Sequence, residues 1–260
     1  MRMAAGIEYD GAGFCGWQLQ EQGVRTVQGE VEKALGKVAD APVRVACAGR
    51  TDTGVHATAQ VVHFETDAQR SERSWVFGTN ANLPKDVALL WARPVTDDFH
   101  ARFSARRRAY RYVIFNRHVR PTFLARRVAW EYRPLEVEPM QRAAKYLLGE
   151  HDFSSYRALA CQAKSPVRTI HRLDVSRQGE LLFIDIEANA FLHHMVRNVA
   201  GVLMAVGAGE RDPTWAQDVL EARDRTVGGV TAPPYGLYLV GVGYPEPFGI
   251  PPLSRLPAFW

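Results

Sequence analysis

Eight short runs of β-branched and aromatic residues, interrupted at irregular intervals by helical patterns, constrain this chain more than any other feature. The runs are 3–9, 43–48, 60–65, 88–92, 110–116, 168–176, 181–187 and 237–242, each read as a strand. Between them, Thr26 is placed to cap a helix whose apolar positions Val27, Val31, Leu35 and Val38 recur at helical spacing. Residues 136–148 carry Val137, Met140, Ala144 and Leu147 on one stripe, with Gly149 as the stop. Residues 193–206 do the same with Met195, Val199, Val202 and Val206, which leaves Arg197 about 200° round the helix from Met195. Strands and helices do not alternate strictly, so parallel βαβ architecture is disfavoured and an α+β fold with a mainly antiparallel sheet is expected. Two halves of similar strand and helix content are expected, 1–105 and 106–245, followed by a Pro-rich tail, 246–260.

With 260 residues, 47% of them hydrophobic, the chain has ample material for a core. Three cysteines, Cys15, Cys47 and Cys161, form no C-x-x-C pair, which excludes zinc ribbons and thioredoxin-like redox chemistry. The longest uncharged apolar run, 198–209, is about half the length of a membrane span, and no signal-peptide core follows Met1. A soluble, cytoplasmic protein without membrane association is expected.

Charge is distributed unevenly. Residues 101–130 hold nine arginines and no acidic residue, while the remainder carries 23 basic against 28 acidic side chains. These arginines are interleaved with Phe103, Tyr110, Tyr112, Phe115 and Phe123. Guanidinium groups pair with phosphates and stack on bases, and aromatic faces also stack, so the segment reads as a nucleic-acid surface. Within it, Arg108-Ala-Tyr110-Arg-Tyr112-Val113-Ile-Phe115 resembles an RNA-recognition strand lacking its glycines. Strand alternation places Tyr110 and Tyr112 on one face, together with Arg108 and Arg106 if the strand extends back. Two readings stay open for that face: it meets RNA, or its tyrosines pack on a neighbouring strand.

Three other motifs lead away from function. Gly11-Ala-Gly13-Phe-Cys-Gly16 matches the dinucleotide fingerprint, but the next helix waits until Thr26, so no helix amides meet a pyrophosphate. Asp52-Thr53-Gly54 is the tripeptide of aspartic proteases, which need two such carboxylates, and the chain has no second copy. Adjacent His193 and His194, read as helical, diverge by about 100° and make a poor metal pair.

The segment Gly49-Arg50-Thr51-Asp52-Thr53-Gly54-Val55-His56-Ala57 leaves a strand for a glycine-containing loop. It sets one carboxylate beside an arginine and between two hydroxyls, neighbours that favour an ionised nucleophile. A plain turn aspartate fits the same pattern. This segment resembles the active-site motif of the tRNA pseudouridine synthase A family. So do Tyr9-Asp-Gly-x-Gly-Phe-Cys-Gly-Trp17-Gln18, Thr26-Val27-Gln28-Gly29, Phe99-His100-Ala101-Arg102-Phe103-Ser104-Ala105, Tyr110-Arg111-Tyr112 and Ala188-Asn189-Ala190-Phe191-Leu192-His193-His194-Met195-Val196-Arg197-Asn198, in family order.

The resemblance implies two α/β halves sharing a mainly antiparallel central sheet, homodimers, and neither cofactor nor metal. It implies isomerisation of uridine to pseudouridine at positions 38, 39 and 40 of the tRNA anticodon stem-loop. Asp52 is then the nucleophile, with uracil C6 attack, ribose C1′ attack and a glycal route all open. Tyr110 stacks on the target base and is a candidate for removing the C5 proton. Arg197 pairs with Asp52, and Arg50 helps hold or replace the flipped base. Arg106, Arg107, Arg108 and Arg111, with His193 and His194, contact tRNA phosphates.

Overall fold

In the computed structural model, which describes residues 1–20, 23–254 and 256–257, the chain divides into two units. The first comprises Met1–Arg106 together with the chain from Tyr238 onward, and the second is Arg107–Leu237.

The first unit is organised around β1 (Arg2–Tyr9), whose interior is buried on both faces. It pairs antiparallel with β4 (Val87–Val95) on one side and with β3 (His56–Glu65) on the other. The far edge of β3 is shared. β2 (Val45–Cys47) pairs antiparallel with Val62–Phe64, while β10 (Leu237–Gly243) runs parallel, Tyr238 opposite His56 and Leu239 opposite Ala57. Residues 238–245, placed by the sequence boundaries in the second half, thus supply a strand to the first.

Helix α1 (Val27–Ala39) starts where Thr26 Oγ1 accepts the Gly29 N–H at 3.3 Å, and it ends on Asp40 in the left-handed conformation. It packs on α2 (Glu72–Asn80), an element with no apolar stripe in the sequence: only Trp75 and Thr79 of it are buried. The expected irregular tail is partly ordered. Residues 246–248 form a 3₁₀ turn, and β11 (Leu253–Ser254) pairs with β10.

The second unit is an antiparallel sheet in the order β5 (Arg107–Asn116), β9 (Leu181–Ala188), β8 (Val167–Gln178), β7 (Gly149–Asp152), with β6 (Ala129–Glu131) added parallel to the end of β5. Leu182, Ile184, Ile186 and Ala188 of β9 point inward at period two. Helices α3 (Val137–Lys145) and α4 (Met195–Gly207) pack on each other, α3 also on β8, and α5 (Trp215–Ala222) joins them.

Strand β5 begins three residues before the apolar run that announced it. Its leading arginines are accommodated by acidic partners across the ladder, Arg107 facing Glu187 at 3.4 Å and Arg111 facing Asp185 at 2.7 Å. Both units combine a mainly antiparallel sheet with helices, the α+β class expected.

Candidate active site

Asp52 lies half-buried on the loop joining β2 to β3, and the conformation of that loop is held from several sides. Antiparallel pairing of β2 with β3 delivers the chain to Ala48, whose N–H donates to Val61 O at 2.8 Å. The fully buried Gln60 side chain then clamps Gly49, its Nε2 donating to Gly49 O at 2.6 Å. Asp52 O accepts the Val55 N–H at 3.1 Å, closing a turn in which Gly54 takes φ +79°. That is the left-handed position a type II turn assigns to glycine. Turn and catalytic readings of Asp52 therefore coexist: its backbone makes the turn, and its carboxylate is a separate matter.

The discarded glycine-rich stretch turns out to be the other wall of this loop. Tyr9 OH and Thr51 Oγ1, both buried, are 2.8 Å apart, and Thr51 O accepts the Trp17 N–H at 3.0 Å. A β-carbon on Gly16, which has φ +83°, would sit 2.9 Å from Thr51 O and 3.2 Å from the Asp52 carbonyl carbon. One on Gly11 would sit 1.9 Å from Val55 O. Glycine here permits backbone-to-backbone approach, with the catalytic-loop candidate as the partner instead of a pyrophosphate.

His56, 1% exposed, closes the arrangement. Its Nδ1 accepts the Gly11 N–H at 3.0 Å, and its ring stacks on Tyr238 at 4.6 Å and 18°. Asp10 Oδ1, which takes the Ala12 N–H, lies 3.1 Å from the same nitrogen. Sequence reasoning quoted His56 and Tyr9 only as members of motif blocks, because their partners lie far along the chain. Arg50 is exposed at the start of the loop.

The remaining candidates belong to the second unit, except Arg106, an exposed residue of the first whose N–H donates to Gly243 O at 2.8 Å. Tyr110 on β5 is 8% exposed and meets Phe191 edge-on at 5.0 Å. Tyr112 on the same face is fully buried, its hydroxyl donating to Pro233 O at 2.8 Å, and burial pushes its pKa up. Tyr112 is thus engaged inside the protein, by the Pro233 carbonyl. Arg108 is 9% exposed and donates to Asn189 O at 3.1 Å. Arg111 makes a two-pronged pair with Asp185, both hydrogen bonds 2.7 Å, while lying 4.6 Å over the Phe183 ring. Arg107 is the exposed arginine of this strand.

His193 and His194 precede α4 instead of belonging to it. His194 has φ +61°, and the two rings come within 4.0 Å at 44°, so the divergence expected of helical neighbours does not occur. Helix α4 is buried nearly all round. Arg197, Gly201 and Ala205, at i, i+4 and i+8, mark its less buried line. Arg197 Nε donates to Ala232 O at 2.8 Å, and Ala232 N–H donates back to Arg197 O at 3.1 Å.

Residues 5–104 and 143–245 match the family model described as tRNA pseudouridine synthase. These stretches include the Asp52 loop, its glycine wall, His193, His194 and Arg197; Tyr110 and most of the arginine-rich segment fall in the gap. A tRNA pseudouridine synthase A of Nitrosococcus oceani is 62% identical over 260 residues, spanning all of both chains. That of Alcanivorax borkumensis is 61% identical over 98% of this chain and 96% of that protein. That of Pseudomonas aeruginosa is 58% identical over 96% and 88%. A chain in the crystal structure of a Cbf5-Nop10-Gar1 complex aligns over 78% of this chain and 45% of its own, with TM-score 0.33 and 12% identity, too remote to bear on the fold. The family match over both units and the full-length relatives agree: the chain belongs to the tRNA pseudouridine synthase family, enzymes that isomerise uridine in tRNA to pseudouridine.

Proposed function

We propose that this enzyme modifies uridines 38, 39 and 40 of the tRNA anticodon stem-loop, with Asp52 as the nucleophile, acting as a cytoplasmic homodimer. The observation that carries the chemistry is a single half-buried carboxylate on a loop fixed by Tyr9, Trp17, Gln60 and two close-packed glycines. The reaction is redox-neutral. The N1–C1′ bond breaks, a C5–C1′ bond forms, and the C5 proton is lost while N1 gains one. It needs one group that holds the detached sugar or base while uracil turns, and a carboxylate carried on a fixed loop backbone suits that task.

In this reading Tyr110 stacks on the target uracil and is the candidate to take the C5 proton, Arg197 keeps Asp52 ionised, and Arg50 helps hold or replace the flipped base. Phosphate contacts fall to Arg106, Arg107, His193 and His194. Arg108 and Arg111 are engaged by Asn189 and Asp185, so their part is to hold the strand that carries Tyr110.

Tritium release from tRNA transcripts labelled at uridine C5 tests the proposal, since joining C5 to ribose expels that hydrogen. Near-stoichiometric release is expected from the wild type and none from Asp52→Asn, with tRNA binding held within a few-fold. Transcripts with cytidine at 38, 39 or 40 should each lose the corresponding release. Turnover by Asp52→Asn, or release surviving replacement of all three uridines, would sink the respective part.

A further inference from the structure

The turn after β4 presents a bare aromatic ring on an unusually well-secured backbone. Ala101 N–H donates to His63 Nδ1 at 3.1 Å, and Arg102 and Phe103 N–H both donate to His100 Nδ1, at 3.1 and 3.3 Å. His100 N–H donates to Ser104 Oγ at 3.0 Å, Ser104 N–H returns to His100 O at 2.9 Å, and Tyr244 OH donates to Ala101 O at 2.6 Å. Phe99 is fully buried beneath it. Phe103, by contrast, is 75% exposed; its ring rests on His100 at 4.3 Å and the Arg102 guanidinium lies 5.7 Å over it.

A pinned turn that holds a phenylalanine out in water gains nothing for folding from that ring. An aromatic face beside a guanidinium, both pre-organised, is what single-stranded RNA uses as a stacking surface. Two further observations favour RNA over protein as the occupant. From Phe99 to Trp130 the chain holds no acidic residue. The turn also touches the strand pair that leads into the Asp52 loop: Ala101 N–H donates to His63 of β3, which faces Ala46 of β2 across the ladder.

We propose that Phe103, with Arg102, is a stacking platform for an unpaired nucleobase of the tRNA other than the uridine being isomerised. The proposal rests on the functional reading above. His63 and His100 serve as hydrogen-bond acceptors for this turn, which requires both rings neutral.

The test is tRNA binding at fixed ionic strength together with the tritium-release assay, for Phe103→Ala, Phe103→Trp and Arg102→Gln. Phe103→Ala should raise Kd and KM by roughly five- to a hundred-fold with kcat held within two-fold, the range set by loss of one base stack. Phe103→Trp should restore binding, and Arg102→Gln should lessen the salt dependence of Kd by about one ion. A folded Phe103→Ala protein that binds tRNA like the wild type would overturn the proposal. So would a change in its sedimentation from dimer to monomer, which would assign the ring to a protein contact. If Phe103→Ala lost tRNA affinity while the wild type released no tritium, the platform would stand and the catalytic reading would fall.

Discussion

Replacing Gly16 by alanine separates a strained backbone from a displaced active loop. At φ +83° an L-residue costs about 1–2 kcal/mol, and the new β-carbon would also stand 2.9 Å from Thr51 O and 3.2 Å from Thr53 N. Ordinary contact begins near 3.4 Å, so the loop backbone must retreat by about half an ångström, for a total cost of roughly 2–4 kcal/mol. Gly179, in the turn between β8 and β9, provides the control: φ is +59° but nothing lies within 4 Å of the position a β-carbon would take. Gly179→Ala should cost only the backbone term, about 1–2 kcal/mol.

In thermal melts, where each kcal/mol lowers Tm by about 2–4 °C in a protein of this size, Gly16→Ala should fall by roughly 4–16 °C and Gly179→Ala by less. Tritium release well below both transitions is the deciding assay. Gly16→Ala should lose about ten- to a hundred-fold in kcat, because displacement of a catalytic group by a fraction of an ångström is felt directly. Gly179→Ala should keep its kcat. Equal activity in the two variants would refute the argument that Gly16 serves the Asp52 loop.

Other outcomes follow from single contacts. Burial, aided by the charges of His100 and Arg2, lowers the His63 pKa to about 4 from an unfolded value near 6.5, so the unfolded chain binds more protons between those limits. Stability should therefore be complete above about pH 6.5 and decline as pH falls toward 4, by at most about 2 kcal/mol between pH 7 and 5. Urea titrations should show that difference shrinking in His63→Asn, whose Oδ1 accepts the same Ala101 N–H without titrating; an undiminished difference would place the pH sensitivity elsewhere. Tyr112→Phe should cost about 1–3 kcal/mol in urea midpoint analysis by stranding Pro233 O, with kcat unchanged. Tyr110→Phe should do the reverse, losing kcat at near-constant stability; indifference there would remove its hydroxyl from the proton transfer.

Strands with an apolar inward face were legible because alternation over five or more residues survives any tertiary context. What lay outside that signal was hidden for identifiable reasons. Helix α2 buries only Trp75 and Thr79, so no periodicity could announce it. Helix α5 does carry Ala216, Val219 and Leu220 at helical spacing, but over eight residues. Strand β7, Gly-Glu-His-Asp, buries no residue fully and owes its place to pairing with β8.

At the site, Asp52 could be named from its motif. The reason the loop holds its shape could not, since Tyr9, Gly11 and Gly16 reach it only once β1 and β3 have paired. The sequence marks the arginine-rich segment as a nucleic-acid surface without sorting its arginines. In the structure it separates into Arg107, exposed, and Arg108 and Arg111, committed to internal partners, a distinction set by Asn189 and by Asp185 across the ladder.

The parallel placement of Tyr238 against His56 has a consequence for how the molecule comes into being. A nascent chain that has produced β1, β2 and β3 already possesses Asp52, Tyr9 and the glycine wall, yet the histidine at the loop's base lacks its stacking partner and β3 lacks a neighbour on the edge away from β1 there. The whole second unit must be synthesised before β10 arrives, an interval on the order of ten seconds or more at ribosomal rates of about 5–20 residues per second. During that time the first unit exposes an unfilled strand edge, a site for mispairing that a chaperone would have reason to cover. Because β10 lies near the end of the chain, the Asp52 loop acquires its full set of contacts only after the second unit has been made.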